Sequence, residues 1–176
     1  MEEGAEIGSE LAPFAAGAAG LLSGETRLRV VTPTRESMLP ASRYSERFNQ
    51  TPQKNGRWVG PRGESSFYST DPQVINILGD RGIPYRNAYP DFSSVSAADV
   101  RLADMSSNRW ANFLKGDQIL ADELNMSPKD VAKWRMNNSH VWHEVEDGKT
   151  MQLVPSLIND KFGHMGGVAE LKRIGY

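Results

Sequence analysis

Cysteine is absent from this chain of 176 residues, and so are long apolar runs and any strong excess of one charge. Without cysteine, disulfide scaffolds, thiolate zinc sites and cysteine nucleophiles are excluded. No apolar stretch approaches the roughly 20 residues of a membrane span, so we expect no membrane integration. The 20 basic and 22 acidic side chains nearly cancel, which excludes a polybasic coat for nucleic acid. Contact with a polyanion therefore requires a local patch or a bound metal ion.

Composition divides the chain near Thr51. Residues 1–50 are rich in small and polar residues and hold few bulky apolar side chains, so they cannot offset the entropy of ordering a compact unit. We predict a flexible tail or linker there, with at most one short helix. Residues 51–176 are predicted to form one domain of the α+β class.

Helix signals are clearest in the middle of that domain. Asp71-Pro72 and Ser127-Pro128 each place a capping side chain before a proline, which is typical of a helix start. A third helix is predicted from about Ser107, because apolar residues recur there at helical spacing. The residues expected to face inward are Trp110, Phe113, Leu114, Ile119, Ala121 and Leu124.

The C-terminal part predicts a β-hairpin followed by a short helix. Residues 140–145 and 150–154 alternate as two strands, and the segment between them contains the turn signal Asp147-Gly148. A short helix is expected to follow from Pro155. Met151 and Leu153 are expected in the core on strand alternation.

All three histidines of the chain, His140, His143 and His164, lie in this C-terminal part. Where the end of the first strand lies against the helix, His143 and His164 can share one metal ion, with Asn159 or Asp160 adding an oxygen. Divalent ions take imidazole together with amide or carboxylate oxygen. The spacing alone is a weak signal, and His140 is interpreted as a surface or hydrogen-bonded residue.

The chemistry that such a site supports is phosphodiester hydrolysis. A divalent ion stabilises charge on the phosphate and the leaving oxygen, and a neighbouring base, Glu144 or His143, deprotonates the attacking water. Arg62 and Glu64 are further candidates, because the planar fork of an arginine matches an oxyanion. A structural turn with an ion pair explains those two residues equally well. Arg109 is a weaker candidate for the same role in phosphate binding, with the same structural alternative.

The order of short motifs adds a family resemblance. Val141–Glu144, Thr150–Pro155 and His164–Gly167 resemble the HNH/endonuclease VII superfamily, and more narrowly the WHH toxin nucleases at the C-termini of bacterial polymorphic toxins. Two earlier stretches, Gly60–Ser65 and Tyr89–Ser93, resemble upstream motifs of the same toxins.

This resemblance implies a ββα-metal finger at about 140–167 and an endonuclease that depends on a divalent metal (Mg, Mn, Zn or Ni). His143 matches the first histidine of the family pair, a metal ligand, and His164 matches the final ligand. Glu144 stands where the second histidine, the general base, is usual. Asn159 stands where these toxins usually have a histidine ligand, although other HNH enzymes have asparagine there.

The two departures from the family pattern leave alternatives open. A glutamate base is ionised at neutral pH but is weaker than imidazole, and the roles of His143 and Glu144 are exchangeable. Asn159 is either a natural variant or an inactivating substitution. A regular strand turns His143 and Glu144 to opposite faces, so one of them must lie at a strand end or beside a bulge if both reach one metal.

The resemblance also implies a biological setting. It predicts a toxin of interbacterial competition that is secreted or delivered by the producing bacterium, acts in the target-cell cytoplasm and has a cognate immunity protein as partner. DNA is favoured over RNA as the nucleic-acid substrate. A ribonuclease toxin of the same fold, a catalytically impaired binding module and a structural adaptor are the alternatives.

Overall fold

The computed structural model describes residues 41–176, so most of the predicted tail lies outside the described residues. The helices are α1 (Tyr44–Gln50), α2 (Pro72–Leu78), α3 (Arg109–Leu124), α4 (Pro128–Asn137), α5 (Ser156–Lys161) and α6 (Gly167–Arg173). The strands are β1 (Gly56–Trp58), β2 (Ser66–Ser69), β3 (Ile83–Arg86), β4 (Tyr89–Pro90), β5 (Ala98–Arg101), β6 (His140–Glu144) and β7 (Thr150–Pro155). The predicted α+β class is confirmed. None of the helices in 41–176 has the length and apolar character to cross a membrane.

Helix α1 belongs to the residues that the sequence assigns to the tail, yet it is packed onto the rest of the fold. Its Arg47 is buried and donates to the side-chain oxygen of Asn87 at 2.7 Å. Just before the helix, the backbone N–H of Ser42 donates to the buried carboxylate of Glu170 on α6 at 2.8 Å. The packed part of the chain therefore starts before Thr51.

Two antiparallel sheets form the body, with strand orders β1-β2-β3-β4 and β5-β7-β6. The predicted hairpin is confirmed as β6–β7, in which His143 pairs with Gln152. Asp147 fixes its turn, because its carboxylate accepts from the backbone N–H of Thr150 at 2.8 Å and from the Thr150 hydroxyl at 2.6 Å. Helix α5 follows the hairpin directly, which completes a ββα unit.

The three-stranded sheet has an apolar core on each face. Met151 and Leu153 of β7 pack towards α3 and α4, as the alternation predicts. Val154 packs on the other face with Phe92 and with Ile158 of α5. Burial of each such side chain stabilises the fold by roughly 1.5–3 kcal/mol, which holds the hairpin between α3 and α5.

Helix α3 turns a more polar face inward than the apolar spacing predicts. The prediction is wrong for Trp110 and Leu114, which are 67% and 53% exposed. The buried positions include Asn112, Gly116 and Asp117 instead.

Trp142 of β6 explains the burial of two of these residues. A Cβ at Gly116 would lie 3.0 Å from the indole ring, so glycine allows the strand to approach the helix. The indole N–H donates to Asp117 at 2.7 Å, and Asp117 also pairs with Arg135 of α4 at 2.8 Å. A buried charge needs such partners, and the spacing of apolar residues gives no sign of them.

Candidate functional site

A cleft of about 310 Å³ lies where the end of β6 meets α3 and α5. Its lining includes His143 and Glu144 from β6, Asn159 from α5, His164 from the loop after α5, and Arg109 from α3. The fold therefore brings the C-terminal site candidates of the sequence into one concave surface.

The imidazoles of His143 and His164 meet edge to face in this cleft. Their ring centroids are 4.7 Å apart and their planes are inclined by 76°. Phe92 packs against both rings, at centroid distances of 4.9 and 5.5 Å, and is itself fully buried. Phe92 thus packs against both imidazole rings at once. Sequence reasoning gave it no role, although it lies within one of the stretches that resemble toxin motifs.

A backbone carbonyl sets the tautomer of His164. Its Nδ1 lies 2.7 Å from the carbonyl oxygen of Phe162, and a carbonyl only accepts, so Nδ1 carries the hydrogen. The lone pair is then on Nε2, the arrangement common among ligating histidines. Burial lowers the pKa of His164, against the effect of that hydrogen bond, and this favours the neutral ring.

Asn159 contributes an amide oxygen to the same cleft. Its Oδ1 is buried and has no hydrogen-bond partner among the described residues, a situation that costs about 1–3 kcal/mol unless a ligand satisfies the atom. Within residues 41–176 no group of three or more His, Asp or Glu side chains is arranged to hold a metal. Two imidazoles and one amide oxygen line the same cleft, and these groups are suitable donor chemistry for a divalent ion.

Glu144 is the last residue of β6 and also lines the cleft, although it directly follows His143 in the strand. Its Oε2 lies 3.4 Å from Nε of Arg109, and its Oε1 is buried without a hydrogen-bond partner in the described part of the chain. Burial raises the pKa of Glu144, while Arg109 and Asn112 act against the rise. A raised pKa makes the carboxylate a stronger base than it is in water.

The two other sequence candidates, Arg62 and Glu64, do not line the cleft. Arg62 donates to the carbonyl oxygens of Phe48 and Thr51, at 2.8 and 3.1 Å, and its guanidinium lies 4.2 Å from the centre of the Phe48 ring. Glu64 accepts from the backbone N–H of Asn87 at 3.0 Å. These contacts tie the β1–β2 turn to neighbouring segments and agree with the structural explanation of both residues.

Helix α1 borders the cleft, which sequence reasoning did not foresee. Gln50, its last residue, is part of the lining. A Cβ at Gly163 would lie 2.3 Å from the carbonyl oxygen of Gln50, so only glycine fits there. Because Gly163 directly precedes His164, α1 helps to fix the loop that carries this histidine.

A ββα unit that gathers imidazole, amide and carboxylate groups in one cleft defines a candidate hydrolytic site. Residues 82–166, slightly less than half of the chain, match a protein-family model described as the DNase/tRNase domain of colicin-like bacteriocins. This match supports a bacteriocin nuclease domain with a toxin role. The matched region contains every lining residue of the cleft discussed above except Gln50, and it excludes Arg62 and Glu64. Comparison with curated proteins gives no match.

Proposed function

We propose that this chain is a metal-dependent endonuclease toxin domain of the HNH type, and more narrowly of the WHH type. The observation that carries the proposal is the cleft in which His143 and His164 meet beside Asn159 and Glu144, inside the region that matches bacteriocin nucleases. DNA is the first expected substrate because of the WHH resemblance. RNA is the alternative substrate for the same fold.

His143, Asn159 and His164 are the residues that would hold the divalent ion. The neutral His164 ring has its lone pair on Nε2, and the Asn159 oxygen is buried and otherwise unsatisfied. When bound, such an ion stabilises the charge that develops on the phosphate and on the leaving oxygen. Phe92 keeps the two imidazoles in contact before any ligand arrives.

Glu144 is the proposed general base. Arg109 holds Oε2 of the carboxylate, which leaves Oε1 to accept a proton from the attacking water. An exchange of roles, in which His143 takes the proton and Glu144 binds the ion, is the alternative assignment.

The family description supports the proposed setting. A bacteriocin nuclease is secreted or delivered by the producing bacterium and acts in the target-cell cytoplasm. A cognate immunity protein is the partner we propose for the producing cell.

The proposal is tested with the purified full chain and three nucleic acids: supercoiled plasmid, single-stranded DNA and RNA. Each is incubated with EDTA or with Mg²⁺, Mn²⁺, Zn²⁺ or Ni²⁺. We expect cutting with at least one cation and none with EDTA. A folded protein that cuts no nucleic acid with any of these cations contradicts the proposal.

A catalytically impaired binding module is the second candidate. The observation that favours it is the ion pair of Glu144 with Arg109, which occupies one oxygen of the proposed base. This candidate predicts binding of nucleic acid or a partner without cutting, so the same assay combined with a binding measurement separates the two.

A further inference from the structure

Trp110 is a large aromatic side chain that the fold leaves in solvent, and its neighbour in the sequence, Arg109, lines the cleft. It is 67% exposed, whereas Trp134 and Trp142 are buried. Trp110 follows Arg109 in the first turn of α3, and Phe113 of the next turn lines the cleft together with Arg109. Successive residues of a helix project about 100° apart, so Trp110 projects to one side of the helix face on which Arg109 and Phe113 line the cleft.

The cationic groups around the cleft offer little attraction for phosphate. Of the described residues that line it, only Arg109 is a lysine or arginine. Two basic side chains of the C-terminal helices are already paired, Lys161 of α5 with Asp71 at 3.0 Å and Arg173 of α6 with Glu46 at 3.2 Å. Since phosphate contacts supply most of the sequence-independent affinity for nucleic acid, this cleft needs a further contribution.

We propose that Trp110 is a stacking platform for a nucleobase whose neighbouring phosphate contacts the exposed guanidinium of Arg109. The preferred substrate is then a strand whose bases are unstacked, that is, single-stranded DNA or a single-stranded loop. Every base has a face that stacks on an aromatic ring, so this contact is tolerant of sequence. A base inside a duplex is held between its neighbours and must be taken out of the stack first. The inference rests on the proposed nuclease function and names its substrate class.

The test measures binding by the full chain in EDTA, where no cutting is expected. Fluorescence anisotropy is followed with a labelled single-stranded oligonucleotide and with the blunt duplex that it forms with its unlabelled complement, for wild type, Trp110→Ala and Trp110→Phe. Met136→Ala is the matched control, because Met136 is also 67% exposed but belongs to α4, a helix that contributes no residue to the lining of the cleft.

We expect Trp110→Ala to weaken single-strand binding roughly tenfold, the size of one lost base–aromatic stack. Trp110→Phe should keep most of the affinity, and Met136→Ala should keep all of it. Duplex binding should be weaker than single-strand binding in the wild type and unchanged in Trp110→Ala. With few phosphate contacts, the logarithm of the binding constant should fall with the logarithm of salt with a slope of only about −1 to −2.

Unchanged single-strand binding in Trp110→Ala, an equal loss in Met136→Ala, or tighter duplex than single-strand binding in the wild type overturns the proposal. None of these results affects the nuclease function, which the metal-dependent cutting assay reports separately. A wild-type chain that neither binds nor cuts any nucleic acid overturns both. Circular dichroism of each variant checks that the fold is kept.

Discussion

Glu144 and Arg109 form an ion pair across the cleft, with Oε2 of the carboxylate 3.4 Å from Nε of the guanidinium. The Glu144 side chain is 4% exposed and the Arg109 side chain is 63% exposed. The carboxylate of Glu144 is thus oriented before substrate arrives, while the guanidinium of Arg109 that holds it faces solvent. Such preorganisation lowers the cost of arranging charged groups during the reaction.

Replacement of Glu144 by Gln keeps the shape of the side chain and removes its basicity. We expect the metal affinity to stay the same and the cutting rate to fall about 10²- to 10⁴-fold, the usual loss for a general base. Metal titration by calorimetry and a plasmid-nicking rate measure the two effects separately. His143→Ala should instead weaken metal binding. If Glu144→Gln abolishes metal binding while His143→Ala only slows cutting, the two roles are exchanged.

Substitutions of Asn159 test the proposed ligand set, since one should tighten metal binding and another should weaken it. Asn159→His should tighten metal binding and raise the cutting rate, because imidazole is a better ligand than an amide for transition metals. Asn159→Ala should weaken both. Calorimetry with Zn²⁺ or Ni²⁺ reports the affinity, and an unchanged affinity in Asn159→Ala would remove this residue from the site.

Asp117 holds the interface between α3 and the strand that carries His143. Asp117→Asn removes the charge that compensates the buried Arg135, so the free energy of unfolding should fall by about 3 kcal/mol. The matched control is Asp122→Asn on the exposed side of the same helix. This substitution should change the free energy of unfolding by less than about 0.5 kcal/mol. Urea denaturation measures both, and equal small effects would show that the buried pair does not stabilise the fold.

Local signals predicted several elements of the fold, including the hairpin strand that carries His143 and Glu144. Asp71 and Ser127 cap the helices that follow them, accepting from backbone N–H groups at 2.9 and 3.1 Å. Strand alternation predicted the β6–β7 hairpin. The same alternation required either His143 or Glu144 to lie at a strand end or beside a bulge if both reach one metal, and Glu144 is the last residue of β6.

Contacts between distant segments could not be predicted in the same way. Arg62 donates to backbone carbonyls of α1 and the residue after it, and every residue type has such carbonyls, so the sequence gives no sign of the pairing. Trp110 and Leu114 fit the apolar period of α3, but burial depends on which elements pack against each turn. The pairing of Arg109 with Glu144 likewise depends on where α3 crosses the end of β6.

Acid should destabilise the fold through two of its histidines, His140 and His164. Burial lowers the pKa of His140 and of His164 from the ordinary value of 6.5. Below about pH 6.5 the unfolded chain takes up protons at these rings more readily than the folded chain, so the free energy of unfolding falls as the pH falls. Above that pH both states carry neutral rings and the contribution is constant. Glu144, whose pKa is raised, acts in the opposite direction at lower pH.

His140→Phe isolates one of these contributions, because phenylalanine keeps a ring against Trp134 but does not titrate. We expect a shallower loss of the free energy of unfolding between about pH 6.5 and 5 in this variant than in the wild type. Urea denaturation in EDTA at several pH values measures the slope. Identical slopes for the two proteins would mean that His140 is protonated as easily in the folded chain as in the unfolded one.

The central claim, that the cleft is a metal-dependent nuclease site, is tested most directly by comparing His164→Ala with His140→Ala in a plasmid-nicking assay. Each ring has its Nδ1 held by a backbone carbonyl, at 2.7 Å for His164 and 2.8 Å for His140, but only His164 lines the cleft. We expect that His164→Ala stays folded, binds the cation more weakly and loses cutting, while His140→Ala cuts at close to the wild-type rate. Cutting at the wild-type rate by folded His164→Ala, or an equal loss in both variants, would contradict it.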